Sequence, residues 1–185
     1  VVERSDGVAQ APEVIAAMTM FGSPLRLAVA LVPVCVFLGS LVYLDSYKLV
    51  RFRSILQMIF AGGLAAGASY LVNVSVFASF TADHRILTTF QAPLVEEMLK
   101  AIPVILLIRA GRIGFLVDAA IFGFASGTGF ALVENVYYLG TLPDSSIALW
   151  IVRGFGTAVM HGGSTAIVAT ITKAVTGRAG SSRSW

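Results

Sequence analysis

Three charged side chains lie inside an apolar stretch of the sequence, QAPLVEEMLKAIPVILLI at residues 91–108. They are Glu96, Glu97 and Lys100. A charge near the centre of a bilayer costs at least about 2.5–3.5 kcal/mol on insertion scales, so such residues usually face the interior of a helix bundle. On a helix, the ammonium of Lys100 can reach either carboxylate. Because two adjacent carboxylates cannot both ionise cheaply without a cation, one is left to hold a proton, a water or a metal ion.

Two later apolar stretches also carry polar side chains in their interiors. The first contains Glu134 and Asn135, and the second contains Arg153 and His161. Arg153 and His161 lie on one face of a helix, because they are separated by two steps of four residues. A structural ion pair is the simplest explanation for any one of these residues. For the whole set, spread over three consecutive stretches, a common functional site is the better explanation.

Small residues repeat at intervals of four in the same two stretches. The two rows are Ala119, Gly123, Gly127 and Ala131, and Gly154, Ala158, Gly162 and Ala166. Rows of this kind let membrane helices approach closely, which would bring Glu134 and His161 near each other. Packing alone also explains the rows, and it is compatible with the site.

The chemistry of these side chains suits the activation of water. A carboxylate can act as a general base, and a histidine with a glutamate can bind a metal ion or stabilise an oxyanion. The sequence has no HExxH motif, which excludes a zincin-type site, and Ser164 lies in GGSTA rather than GxSxG. Asp118 lies outside any GxGD motif, and an ion pair with Arg109 or Arg112 is expected for it. A glutamate–histidine hydrolase remains, either with a divalent metal such as zinc or without one.

The composition excludes an ordinary soluble domain. Of the 185 residues, 57% are hydrophobic and 12% are charged, and the mean hydropathy is +0.85, whereas soluble domains carry about 25% charged residues. These values are typical of a multi-pass membrane protein in a lipid bilayer. The net charge of +3 indicates no nucleic-acid partner, because the cations lie at predicted helix ends. Cys35 is the only cysteine, so an internal disulfide is impossible.

Five apolar stretches are long enough to cross a bilayer, which takes about 20 residues. They are residues 25–44, 54–80, 86–108, 113–139 and 148–172, and in an alternative interpretation the third begins near Pro93. The sequence therefore predicts an all-α, polytopic transmembrane bundle over residues 25–172, with the motif-bearing core at 90–170. Residues 1–24 are predicted to be a polar or interfacial lead-in, and residues 173–185 a disordered cytoplasmic tail. The chain begins with Val and not with Met, as a fragment or a processed form does.

The distribution of Lys and Arg predicts the orientation in the membrane. Eight fall on one side of the predicted spans, namely Lys48, Arg51, Arg53, Arg109, Arg112, Lys173, Arg178 and Arg183. Three fall on the other side, namely Arg4, Arg26 and Arg85. Because cytoplasmic segments are enriched in Lys and Arg, the C-terminus is predicted to be cytoplasmic and the N-terminus external. At about 1.5 Å per helical residue, the polar site then lies in the outer half of the bilayer.

In their order along the chain, the polar residues resemble the motifs of a known family. EEMLK at residues 96–100 matches an EExxK motif, GFALVEN at 129–135 matches a FAxxEN motif, and His161 follows Arg153 in RGFGTAVMH. Over about residues 90–170 the sequence resembles the PrsW family of intramembrane proteases, relatives of the CAAX prenyl endopeptidases and the bacterial CPBP proteins. The three motifs are specific together and weakly diagnostic singly.

The resemblance implies a protease of the bacterial cytoplasmic membrane with a CAAX-protease-like core. Such a protease makes the first, site-1 cut in a single-span membrane protein of the anti-sigma factor type. The resemblance further implies that Glu96, Glu97 and His161 are essential, and that Glu134 and Asn135 belong to the second motif. PrsW-like proteins usually have more than five spans, so the sequence is either truncated or a compact member.

The predicted mechanism starts from a water molecule that attacks the scissile carbonyl. One of Glu96 and Glu97 deprotonates this water, and Lys100 pairs with the other carboxylate. Arg153 either orients a neighbouring site residue or anchors the outer membrane interface.

Two roles are open for the remaining site residues. Either Glu97, Glu134 and His161 bind a metal ion, or Glu134 acts separately while His161 and Asn135 stabilise the oxyanion. Two other classes of protein fit the same charges less well. A proton- or cation-coupled transporter would favour an internal repeat, which we do not find in the sequence. A catalytically inactive signalling protein of the same fold would not need the intact set of polar residues.

Overall fold

The computed structural model describes residues 24–44, 50–77, 79, 85, 87–142 and 145–181. Helices account for nearly all of this part of the chain, and it contains no strand. The helices are α1 (Pro24–Leu44), α2 (Phe52–Val72), α3 (Ala92–Arg109), α4 (Leu116–Thr141), α5 (Ile147–Thr157) and α6 (Gly163–Ser181). Three π-helical turns adjoin them: Asn73–Phe77 after α2, Leu87–Gln91 before α3, and Ala158–Gly162 between α5 and α6. The last of these turns makes α5 and α6 one continuous helix.

Three segments of the described helices are long and apolar enough to cross a membrane: Pro24–Tyr43, Phe52–Ser75 and Leu116–Thr141. The all-α membrane bundle predicted from the composition is confirmed. Of the five predicted crossings, length and apolarity identify three. α3 differs from these three because four of its 18 residues are charged, and α6 differs because it is rich in Thr, Ser and Gly.

α4 lies at the centre of the bundle. Every residue from Ile121 to Ala131 is buried, and the helix packs against α1, α2, α3 and α6. A helix that is enclosed on all sides has no polar face, which agrees with the apolar or small residues all round this segment. Large apolar side chains of the surrounding helices, such as Phe60 and Val152, are exposed where lipid would contact them.

Glycines let two neighbours approach α4 closely. A Cβ atom at Gly127 would collide with the backbone of His161 and Gly162, and a Cβ atom at Gly129 would collide with the carbonyl of Ile59. The first contact sets α4 against the π-helical turn, so the close approach predicted from the small-residue rows is confirmed. Glu134 follows Gly127 by two helical turns on the same face, which carries its carboxylate to His161.

The helix ends differ from the predicted stretches. α6 continues to Ser181, so the segment predicted to be a disordered tail from residue 173 is helical up to that point. α3 begins at Ala92 after a π-helical turn, which places Pro93 in the first turn, where proline is well tolerated. Most of the predicted lead-in, the cation Lys48 and residues 182–185 lie outside the described residues.

Asp118 has a different role from the one expected. Its carboxylate accepts a hydrogen bond from the backbone N–H of Phe115 at 3.2 Å and so caps the start of α4. Among the described residues it makes no salt bridge to Arg109 or Arg112. The expected ion pair is therefore replaced by a helix cap.

Candidate functional site

Lys100 is fully buried in the middle of α3. Its ammonium makes a salt bridge of 2.5 Å to Glu97 and lies 2.8 Å from Nδ1 of His161. The same nitrogen lies 4.4 Å from the centre of the Phe130 ring. Removing a lysine from water is costly unless it is paired and hydrogen-bonded, and these three contacts compensate for that cost.

His161 lies on the π-helical turn between α5 and α6, with hydrogen-bond partners at both ring nitrogens. Besides the contact of Nδ1 with Lys100, Nε2 lies 2.8 Å from Oε2 of Glu134. A charged ammonium can only donate, so Nδ1 accepts, and Nε2 carries the proton that it donates to Glu134. The ring also stacks at 5.0 Å from Phe130. Its orientation and tautomer are thus fixed from both ends.

Glu134 has a partner at each carboxylate oxygen. Oε2 is bound to His161, and Oε1 lies 3.6 Å from a guanidinium nitrogen of Arg153. That guanidinium is held over the ring of Tyr138, at 4.0 Å from its centre. Of the two roles open for Arg153, the contacts favour orienting Glu134 over anchoring at the membrane interface.

Asn135 is fully buried and joins three helices. Its side-chain amide donates to the carbonyl of Ala30 in α1 at 2.9 Å and to the hydroxyl of Thr157 in α5 at 3.0 Å. Its carbonyl accepts a weaker bond from Arg153 at 3.5 Å. Because both donors are used within the protein, this arrangement favours a structural role for Asn135 over oxyanion binding.

The two adjacent glutamates have different surroundings. Besides Lys100, Glu97 accepts a hydrogen bond from Ser164 at 2.9 Å and a longer one from Thr165 at 3.4 Å. Within the described part of the chain, Glu96 makes no hydrogen bond or salt bridge, and it borders a cavity. Ser164 is thus a hydrogen-bond donor to Glu97 on a different helix, a role that its position in GGSTA did not predict.

The cavity has a volume of about 540 Å³ and lies between α2, α3 and α4. Glu96 and Glu134 are both in its wall, together with aromatic and small residues of the three helices. Two carboxylates, one of them without a hydrogen-bond partner among the described residues, thus share one space of a size that binds ligands.

The predicted metal ligands do not converge. Glu134 and the His161 ring are in direct contact, but between Glu97 and that ring lies the ammonium of Lys100, which contacts both. Both ring nitrogens of His161 are engaged by protein groups. No three His, Cys, Asp or Glu side chains among the described residues are grouped so that they could hold a metal ion. The arrangement therefore does not fit the metal site of Glu97, Glu134 and His161 predicted from the sequence.

Comparison with known proteins gives one family. The family model described as PrsW family intramembrane metalloprotease matches residues 47–185, which is more than half of the chain. The matched region contains α2 to α6 and, with them, every charged residue of the site described above. No curated protein and no solved structure matches the chain.

Proposed function

The chain belongs to the PrsW family of intramembrane metalloproteases, and from this premise we propose that it activates water with Glu96 to cut a single-span membrane protein. Family membership makes the chain a membrane-embedded protease. The roles of the residues and the kind of substrate are the proposal.

The observation that carries the proposal is the contrast between Glu96 and Glu97. Glu97 is bound to Lys100 and to hydroxyl groups of α6, whereas Glu96 borders the cavity that Glu134 also borders. A general base has to reach the proton that it removes, so the carboxylate at the cavity is the better base. We therefore assign the base to Glu96 and the pairing role to Glu97.

Glu96 removes a proton from a water molecule in the cavity while the water oxygen attacks the scissile carbonyl carbon. Glu134 accepts a hydrogen bond from the second O–H of that water, and His161 and Arg153 hold its carboxylate in place. The proton on Glu96 then passes to the leaving nitrogen as the C–N bond breaks. No step passes through a metal ion, because the candidate ligands do not converge. The oxyanion role of His161 stays a prediction from the sequence.

The depth of the site supports a cut near one membrane surface. Glu96 lies four residues after Ala92, where α3 begins, and Glu134 lies seven residues before Thr141, where α4 ends. These offsets are about 6 and 10 Å along the helices. Because a short connection makes α3 and α4 antiparallel neighbours, both carboxylates lie toward the same end of the bundle.

We place that end on the outer side of a bacterial cytoplasmic membrane, with the C-terminus in the cytoplasm, because of the distribution of Lys and Arg. The substrate proposed for this position is a single-span protein of the anti-sigma factor type, cut in the outer part of its span.

The test uses the purified full chain in liposomes together with a single-span anti-sigma factor. Mass spectrometry of the products is expected to show a cut in the outer part of the substrate span with the wild-type chain and none with Glu96→Gln. An intact substrate with the wild type, or equal rates for the two chains, would contradict the proposal. Proton or cation uptake without hydrolysis would favour the transporter instead.

A further inference from the structure

One wall of the cavity is not used by the proposed mechanism. It consists of the last turns of α2 and the start of the π-helical turn Asn73–Phe77, and it includes Gly67 and Asn73. We propose that this wall is the subsite for the substrate residue that flanks the scissile bond. Asn73 binds the substrate backbone there, and Gly67 leaves room for a large apolar side chain. This inference rests on the proposed function.

Asn73 contributes a buried side-chain oxygen to this wall. Its side-chain oxygen Oδ1 is buried and has no hydrogen-bond partner among the described residues. Buried polar atoms are almost always paired, so an unpaired one in a cavity wall marks a place for a ligand donor. Asn73 also opens a π-helical turn, a rare structure that is frequent at functional sites.

The donor that fits Oδ1 is a backbone N–H of an extended substrate segment. Within an α-helix the N–H groups are bonded to carbonyls of the same helix, whereas an extended segment leaves them free. Binding to Asn73 therefore selects substrate chains that are unwound beside the scissile bond. This selection exposes the carbonyl to the water at Glu96.

Gly67 leaves open space at the same wall. A Cβ atom added there would have no heavy atom within 4 Å. The lining also includes apolar and aromatic side chains, among them the rings of Tyr70 and Tyr137, which lie 5.6 Å apart. An apolar space of this kind favours a large apolar side chain, and we name leucine, methionine and phenylalanine as the preferred residues.

The first experiment fills this space. The full chain is reconstituted with a library of single-span proteins whose outer half-span is randomised, and every cut is mapped by mass spectrometry. Gly67→Phe is compared with Gly39→Phe, because Gly39 of α1 is likewise exposed with open space around its Cβ but does not line this cavity. Gly67→Ala and Gly67→Leu complete a graded series in case the phenylalanine impairs folding.

The wild type and Gly39→Phe are expected to cut beside large apolar residues. In Gly67→Phe the rate of these cuts is expected to fall by at least about tenfold, whereas cuts beside alanine and serine continue. A smaller pocket distinguishes large from small side chains by a factor of this size. Asn73→Ala is expected to raise KM about tenfold with little change in kcat, as for the loss of one hydrogen bond to bound substrate.

The possible failures are distinguishable. A cut profile of the Gly67 series identical to that of the wild type overturns the subsite, and so does an unchanged KM in Asn73→Ala. Both results leave proteolysis itself standing. A wild-type chain that cuts no member of the library overturns the proposed function, and the subsite with it.

Discussion

The ammonium of Lys100 lies 2.8 Å from Nδ1 of His161, and the other ring nitrogen, Nε2, faces Glu134. Carboxylates and carbonyls usually occupy this position beside a functional histidine, where they accept a hydrogen bond from Nδ1–H. A lysine does the opposite, because it donates to Nδ1 and leaves the proton on Nε2. The buried lysine thus connects Glu97 on one side to the Glu134–His161 pair on the other.

Replacing Lys100 by methionine tests this connection. The change keeps the length of the side chain and removes a charge-assisted hydrogen bond worth about 1.5–3 kcal/mol. We expect kcat to fall by roughly 10- to 150-fold, and the ¹⁵N chemical shifts of the His161 ring to show a mixture of tautomers. Lys173→Met in α6 serves as the control. Wild-type kcat and shifts in Lys100→Met would show that the lysine does not set the tautomer.

Glu96→Gln and Glu97→Gln are expected to impair the enzyme in different ways. Loss of a general base typically costs about 10²–10⁴ in rate, so Glu96→Gln should lose cleavage while keeping the thermal stability of the wild type. Glu97→Gln leaves the buried Lys100 without its anionic partner. Breaking a buried ion pair costs about 3–5 kcal/mol, and the lower part of that range applies because the Glu97 side chain is 32% exposed.

Thermal unfolding in detergent, run beside the cleavage assay, separates the two glutamates. A lower midpoint for Glu97→Gln alone is the expected result. Equal midpoints for both variants, or a destabilised Glu96→Gln, would mean that the roles assigned to the two carboxylates are wrong.

Sequence spacing predicted the contacts that local geometry determines. Helical spacing predicted that Lys100 pairs with one of the two adjacent glutamates and left the choice open, and in the structure the partner is Glu97. The contact between Glu134 and His161 follows from two small-residue rows that allow their helices to approach. The contact between Lys100 and His161 was not predicted, because spacing within α3 does not determine which way that helix is rotated toward the π-helical turn.

Contacts between segments that are distant along the chain could not be predicted from the sequence. Asn135 binds the carbonyl of Ala30, 105 residues away along the chain, and no motif marks Ala30. Asn73 lies within the predicted span of residues 54–80, and no motif there marks it as part of a cavity wall. The predicted metal ligands do not converge for a related reason, because the ammonium of Lys100 lies between Glu97 and His161.

Asn135→Leu should destabilise the protein through the contact with α1. The change removes the hydrogen bonds to Ala30 and Thr157, each worth about 0.5–1.5 kcal/mol. We expect a lower unfolding midpoint and, in the fraction that remains folded, an almost unchanged kcat. A wild-type midpoint with a kcat reduced a hundredfold or more would instead support the oxyanion role predicted from the sequence.

Chelation tests the disagreement between the family description and the arrangement of the site. Because both ring nitrogens of His161 are hydrogen-bonded within the protein, we expect cleavage to continue at the wild-type rate after exhaustive treatment with EDTA. Metal analysis of the treated protein verifies the removal. Loss of cleavage that added Zn²⁺ reverses would mean that His161 exchanges Lys100 or Glu134 for a metal ion during the reaction.

Gly127→Leu tests whether backbone packing alone positions the reacting groups. A Cβ atom at Gly127 would collide with the backbone of His161, so any larger residue pushes α4 away from the π-helical turn. The bond of 2.8 Å between Glu134 and His161 should then break, although no functional side chain is changed. Because a displacement of about 1 Å can cost a hundredfold in rate, we expect cleavage to fall by about that factor. The overpacking should also cost about 1–3 kcal/mol of stability.

The matched control is Gly156→Leu in α5, where an added Cβ atom meets no heavy atom within 4 Å. Gly127→Ala adds the smallest possible obstacle and should give an intermediate rate. A graded loss from glycine to alanine to leucine at residue 127, with Gly156→Leu active, would show that the contact between two backbones sets the distance between carboxylate and imidazole. Full activity in Gly127→Leu would mean that Glu134 and His161 need not be held together by α4 and the π-helical turn.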